Sequence, residues 1–226
     1  MRASRHIPML AILGVVPIAL LPFASAAFAG PGWAIEFLVG VPFTFPSTAT
    51  IRQAGEPDLR LRPRFASRPF ERPLYYAVRV GRWDGPDGWE LEMNHDKLYL
   101  SNPTREVEHF AISHGFNRIT LNRAWERGDM VLRLGAGFVI THPESTVRGR
   151  RFPEDGGILG TGYHLSGPTG MGSVGARVGP REGPFLPLEG MGTASWVRVP
   201  VADGDADLAV AGLHALAGAG FGRGDQ

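Results

Sequence analysis

The sequence predicts an all-β fold, an eight-stranded antiparallel up-and-down transmembrane β-barrel behind an N-terminal signal peptide. Three observations carry that prediction. Apolar residues alternate with period two over runs of about 9–11 residues, the length a tilted strand needs to cross a bilayer. The connections between these runs alternate between short and long, as periplasmic turns and outer loops do in bacterial outer-membrane barrels. An export signal precedes the first run, and no later apolar stretch is long enough to cross as a helix.

The export signal is read from the first residues. Arg2 and Arg5 precede an apolar stretch over residues 7–23, and two A-x-A sites follow, Ala24-Ser25-Ala26 and Ala27-Phe28-Ala29. Cleavage is expected after Ala26 or Ala29, which divides the chain into a signal peptide (1–29) and a barrel (30–226). An uncleaved anchor is the alternative, and Pro8, Pro17 and Pro22 within the stretch disfavour it.

The strands follow in order. In the first, Trp33, Ile35, Phe37, Val39, Val41, Phe43 and Phe45 share one face, with Glu36, Gly40 and Thr44 on the other. In the second, Leu74, Tyr76, Val78 and Val80 oppose Tyr75, Ala77, Arg79 and Gly81. In the fifth, Met130, Leu132, Leu134, Ala136, Phe138 and Ile140 oppose Arg133, Gly135 and Gly137. Eight strands are expected at 33–45, 73–83, 88–97, 107–121, 129–141, 168–179, 185–197 and 208–221. The connections at 84–87, 122–128 and 180–184 are short; those at 46–72, 98–106, 142–167 and 198–207 are longer. The end departs from the usual barrel pattern, because Phe221 is followed by Gly-Arg-Gly-Asp-Gln rather than closing the chain.

Composition agrees. Gly (31) and Pro (19) suit strands and turns better than a helical bundle. The formal charge of +1 gives no ground for a nucleic-acid partner, and the absence of Cys excludes disulfides and thiolate metal sites. Of 23 basic residues only Lys97 is lysine. A soluble periplasmic lipocalin-like barrel is the competing fold; it would turn the apolar faces inward and expose Glu36, Arg79, Glu90, Glu92, Arg133, Arg177 and Glu189 to water.

With the apolar faces on lipid, the interior holds Glu36, Arg79, Glu90, Glu92, Asn94, Asp96, Ser113, Asn117, Arg133, Arg177, Glu189 and His214. An eight-stranded barrel has room for side chains but not for a wide pore. Arginine forks hydrogen-bonded to the acids fill such a lumen. Glu90, Glu92, Asn94 and Asp96 stack on one face, and neighbouring carboxylates repel unless cations intervene. A divalent metal is one such cation, with Glu90, Glu92, His142 and Glu144 as its expected ligands at the outer mouth, near His109 and His114. By strict alternation His114 falls on the apolar face with Phe110, Ile112 and Phe116. In the long loops, Arg60, Arg62, Arg64, Arg148, Arg150 and Arg151 are candidates for binding lipopolysaccharide phosphates, which guanidinium groups take bidentately.

Several segments carry a family resemblance. They are Pro73-Leu74-Tyr75-Tyr76, Glu92-Met93-Asn94-His95-Asp96-Lys97-Leu98-Tyr99, and His114-Gly115-Phe116-Asn117 with Thr120 and Asn122. Gly135-Ala136-Gly137, His142-Pro143-Glu144, Tyr163, Gly167-Pro168, Glu189 and Trp196 continue the series. Their order resembles a family of small outer-membrane barrels that includes lipid A oxidases, and the likeness spans nearly the whole mature chain. It implies oxidation of the proximal glucosamine of lipid A with oxygen and a divalent metal. The expected catalytic residues, all in matching segments, are Glu92, Glu189, His95 and Asn117. Fold alone does not fix function, so a non-catalytic barrel (an envelope anchor or small hydrophobic-ligand channel) stands as the alternative. Lipid A deacylases use a His-x-Ser pair on one strand. Here Ser113 and His114 are adjacent and reversed, which on a regular strand sends them to opposite faces. Outer-membrane lipid and lipopolysaccharide are the expected partners, and a monomer the expected state.

Overall fold

The computed structural model describes residues 32–153, 156–180 and 182–222. The expected signal peptide (1–29) and its cleavage sites therefore lie outside the described residues. Thirteen strands follow in order. They are β1 (Trp33–Thr44), β2 (Thr48–Gln53), β3 (Leu59–Leu61), β4 (Phe65–Ala66), β5 (Tyr76–Asp84), β6 (Asp87–Leu100) and β7 (Val107–Arg127). Then come β8 (Met130–Thr141), β9 (Glu144–Val147), β10 (Arg150–Arg151), β11 (His164–Val178), β12 (Gly183–Val201) and β13 (Gly204–Gly222).

Eight of these close a ring, β1-β5-β6-β7-β8-β11-β12-β13, each antiparallel to the next. The last joins the first from Ala34↔Gly222 to Thr44↔Gly212. This is the expected eight-stranded antiparallel up-and-down barrel of the membrane-spanning kind, and it leaves the ring without a free edge. The short connections β5–β6, β7–β8 and β11–β12 share one end of the barrel with the start of β1 and the end of β13; the long connections lie at the other, called upper here.

Lipid-type alternation governs the lower part of the wall. Val39, Val41 and Phe43, Leu91, Leu121, Leu132 and Leu134, Val174, Leu186 and Leu188, and Leu213 point outward and are exposed. On β12 this belt runs from Leu186 to Trp196. Those ten rises of about 3.3 Å, tilted about 40°, give a height of about 25 Å, the apolar band of an outer-membrane barrel. Exposed Trp89 lies at its lower edge, and Phe43, Phe45 and Trp196 mark the upper. Inside the belt, Glu36, Arg79, Glu90, Glu92, Asn94, Asp96, Arg133, Glu189 and His214 are buried. The lipocalin-like alternative is overturned, because these charges face one another and not water.

Above Trp196 the polarity inverts. Val197, Val199 and Val201 now point inward, as do Ala206, Leu208 and Val210 on β13, while Arg198, Asp205 and Asp207 point out. These apolar side chains join Ala49, Ile51, Phe65, Leu98, Val107, Phe110, Ile112, Phe116, Val139 and Val147 in one core. The barrel thus continues above the belt as a water-soluble β structure with an apolar inside, a change forced where the surrounding solvent changes from lipid to water.

That extension corrects several expected boundaries. Residues 198–207 are not a loop but the tips of β12 and β13, joined through Ala202 and Asp203, whose φ of 59° is the left-handed turn conformation. Residues 122–127 belong to β7, β6 runs on to Leu100, and β11 starts at His164. The connections at 46–72 and 142–167 carry strands β2, β3, β4, β9 and β10, which pair with the ring strands β13, β6 and β7 or with one another.

The inversion also explains a misread face on β7. Phe110, Ile112 and Phe116 were expected on lipid, with Ser113 and Asn117 inside; the three apolar residues are instead buried in the upper core. Arg118, Thr120 and Asn122 continue that inward face, leaving Ile119 and Leu121 on lipid and Asn117 on the outer wall.

Candidate functional site

Two polar clusters result, one inside the belt and one on the outer wall. The inner one is an ionic layer spanning the lumen. Arg79 Nε and Nη2 donate to Glu92 at 3.0 and 2.9 Å, Nη1 to Glu36 at 2.5 Å, and Nη2 to Glu189 at 2.9 Å. Arg133 donates to Glu90 (2.7 Å), Glu189 (2.7 Å) and Glu36 (3.1 Å). Asn122 Nδ2 adds a bond to Glu92 at 2.8 Å. These side chains come from β1, β5, β6, β7, β8 and β12, so the layer ties most of the ring together. In a medium of low polarity, fork geometry and full hydrogen bonding are what make such buried charges tolerable.

Apolar and neutral layers close the lumen on both sides. Ala34, Trp83, Ala124 and Val131 form the lower one; Leu38, Tyr75, Ala77, Met171, Met191 and Leu216 lie above. There His214 is held on both ring nitrogens, Nδ1 by Tyr75 Oη and Nε2 by Thr193 Oγ1, each at 2.9 Å. Arg118 reaches Asn94 Oδ1 at 3.0 Å and Asp96 at 3.3 Å. Arg177 lies at the lower mouth over the Phe185 ring, 3.7 Å from its centre.

The outer cluster is built by a bulge. Asp96 pairs with Phe116 but Leu98 with Ile112, so Lys97 faces the three residues Ser113–Gly115. Gly115 takes φ 138°, a region a side chain rarely adopts. The bulge overturns the expectation that Ser113 and His114 point apart: Ser113 Oγ lies 2.9 Å from His114 Nδ1 and also bonds Glu144. His114 Nδ1 stands 3.3 Å from Glu144 Oε1, and the His114 and His142 rings are 5.1 Å apart, with Tyr163 edge-on to His142. On the same wall His95 Nδ1 meets Asn117 Oδ1 at 2.7 Å and stacks on Tyr76 at 5.0 Å.

The expected catalytic residues are therefore brought together as two pairs, Glu92 with Glu189 around Arg79 inside, and His95 with Asn117 outside. The expected metal set is split. Glu90 and Glu92 are bonded to the lumen arginines, while His142 and Glu144 meet on the outer wall with His114, a ligand the sequence reading left on the apolar face. Among the loop arginines, Arg60, Arg62, Arg64 and Arg151 are exposed. Arg148 and Arg150 tie loops together, to Pro57 O (2.8 Å) and Glu56 (2.9 Å). Tyr75 was read on the inward face and is found there, whereas the inward placement of Arg118 and Asn122 is what sequence reasoning missed. Arg118 and Asn122 became legible only once the inward face of β7 was known.

No family model and no curated protein matches the chain. Among solved structures it is similar to Ail, the attachment invasion locus protein of Yersinia pestis, at 8% identity and TM-score 0.37, over 83% of this chain and 99% of that one. Neisserial surface protein A is similar at 10% identity and TM-score 0.33, over 81% and 96%. Ail in complex with the heparin analogue sucrose octasulfate gives 9% identity and TM-score 0.32, over 81% and 98%. Likeness at this level adds nothing to what the strand pairing already establishes.

Proposed function

We propose that this chain is a monomeric bacterial outer-membrane barrel, sealed to solutes and non-catalytic, that anchors a rigid β platform above the bilayer. The observation that carries this reading is the ionic layer, with Arg79, Arg133 and their four glutamate partners all buried across the lumen. No solute path is compatible with six charged side chains hydrogen-bonded to one another across the lumen. The apolar belt and the polarity inversion above Trp196 support the location, and the closed ring supports a monomer. In this reading the variable chemistry sits on the platform, where Arg60, Arg62 and Arg64 are displayed to lipopolysaccharide phosphates. Purified barrel in planar bilayers should show no conductance above background, and the protein should fractionate with the outer membrane. Discrete open-channel steps at wild-type sequence would overturn the sealed reading.

A second reading, lipid A modification of the oxidase type, is favoured by one specific feature. His95, Asn117, His114, His142 and Glu144 collect on the outer wall, near the height at which lipid A headgroups lie. Glu92 and Glu189, the expected lumen catalysts, already have their carboxylates engaged by arginine, so a lipid-facing reaction would use the outer group. Lipid A mass spectra from cells with and without the gene decide this; an unchanged spectrum removes the second reading and leaves the first.

A further inference from the structure

The outer cluster holds a set of side chains that the sealed-anchor reading does not use. We propose that His114, His142 and Glu144 form a binding site for one divalent transition-metal ion on the outer wall of the barrel, at the upper edge of the belt. One donor atom from each, two imidazole nitrogens and a carboxylate oxygen, lies within 4.8 Å of the others. A metal with nitrogen and oxygen ligands at about 2.0–2.2 Å holds its donors about 3–3.5 Å apart. Closing the site therefore needs movements of about 1 Å, which side-chain rotation supplies at the partly exposed His114 and Glu144.

The backbone beneath is already assembled. His142 N donates to Gly115 O at 3.2 Å, Glu144 pairs with Ala111 and Thr141 with Phe116, and Tyr163 Oη donates to His114 O at 3.0 Å. The ligands thus come from a bulge and an adjacent strand start that main-chain bonds hold in register. Ser113 Oγ, bonded to Glu144 and 2.9 Å from His114 Nδ1, is a positioning group of the kind that orients metal-binding carboxylates. The side chains of His114 and Glu144 are 42% and 22% exposed, which leaves coordination positions open to water or an anionic group. Two imidazoles with one carboxylate suit zinc, iron(II) or cobalt(II); calcium and magnesium prefer all-oxygen shells. A bare ion pair between Glu144 and its histidines predicts the opposite result, no metal bound. The site is independent of the lumen plug, so its failure leaves the anchor reading untouched.

The test uses the full barrel, folded in detergent and stripped with a chelator. Zn2+ is titrated calorimetrically and Co2+ by its visible absorption. One ion per barrel should bind at micromolar concentration, with cobalt bands typical of nitrogen ligation that Zn2+ abolishes and excess Ca2+ or Mg2+ leaves unchanged. His142→Ala and Glu144→Gln should each weaken binding at least about tenfold, whereas His164→Ala should not. Heat-modifiable gel mobility reports folding, and the conservative Glu144→Gln keeps the comparison available if His142→Ala fails to fold. Absence of saturable binding, competition by Ca2+, or unchanged affinity in Glu144→Gln would each overturn the site.

Discussion

Replacing Arg79 by methionine removes the centre of the lumen plug and leaves a shorter, uncharged apolar side chain in its place. The layer sets four carboxylates, Glu36, Glu90, Glu92 and Glu189, around two guanidinium groups, Arg79 and Arg133. The substitution raises the excess negative charge from two to three and strips Glu92 of both its arginine bonds. Breaking a buried pair on one side costs about 3–5 kcal/mol, and that is the expected loss. Glu92→Gln should behave differently. Arg79 keeps Glu36 and Glu189, Asn122 Nδ2 keeps an oxygen to donate to, and one excess charge disappears. Its cost should stay within about 1 kcal/mol, against the simple expectation that losing Glu92 orphans an arginine. The double variant should recover more than about 1 kcal/mol of the Arg79→Met loss, a coupling of the size seen within one network. Urea unfolding of the detergent-refolded barrel, followed by tryptophan fluorescence and gel mobility, measures all three. A loss under about 1 kcal/mol for Arg79→Met would show a hydrated lumen and refute the dry plug.

Other expected outcomes follow from the wall and the platform. Asp207, hydrogen-bonded by Arg198 and Arg52 above the belt, has its pKa held down to about 2 from an ordinary 3.8. Its contribution is therefore present above about pH 4 and lost as pH falls through about 2; with both partners largely exposed, it stays below about 1 kcal/mol. The difference in urea midpoint between wild type and Asp207→Asn should accordingly vanish near pH 2, and a constant difference would refute the link. A Cβ on Gly135 would overlap Asn122 Oδ1, so Gly135→Ala should displace Asn122 from Glu92 and cost about 1–3 kcal/mol. The chain has no Cys, so single cysteines report topology cleanly. An impermeant maleimide on intact cells should label Asp58→Cys on the platform and spare Asp129→Cys in a lower turn. Labelling of the reverse set would invert the orientation.

Local pattern alone determined the eight strands, the antiparallel ring and the inward charges of β1, β5, β6, β8 and β12, because a side-chain period of two needs nothing but neighbours in sequence to be read. It also placed Glu36, Arg79, Glu90, Glu92, Arg133 and Glu189 in one lumen. What pattern could not decide was which side of an alternating strand meets which solvent at a given height. On β7 and β12 the apolar face switches from outside to inside within one continuous strand, so Phe110, Ile112 and Phe116 read as lipid-facing although they pack in the upper core. The same ambiguity hid the hairpin tip at 198–207 and left Arg118 and Asn122 unassigned. The outer cluster was further out of reach. It needs the bulge at Gly115 to turn Ser113 and His114 toward each other, and the pairing of β9 with β7 to bring Glu144 beside them. Both are contacts between distant parts of the chain, settled by backbone hydrogen bonding across the sheet, and no local spacing encodes them.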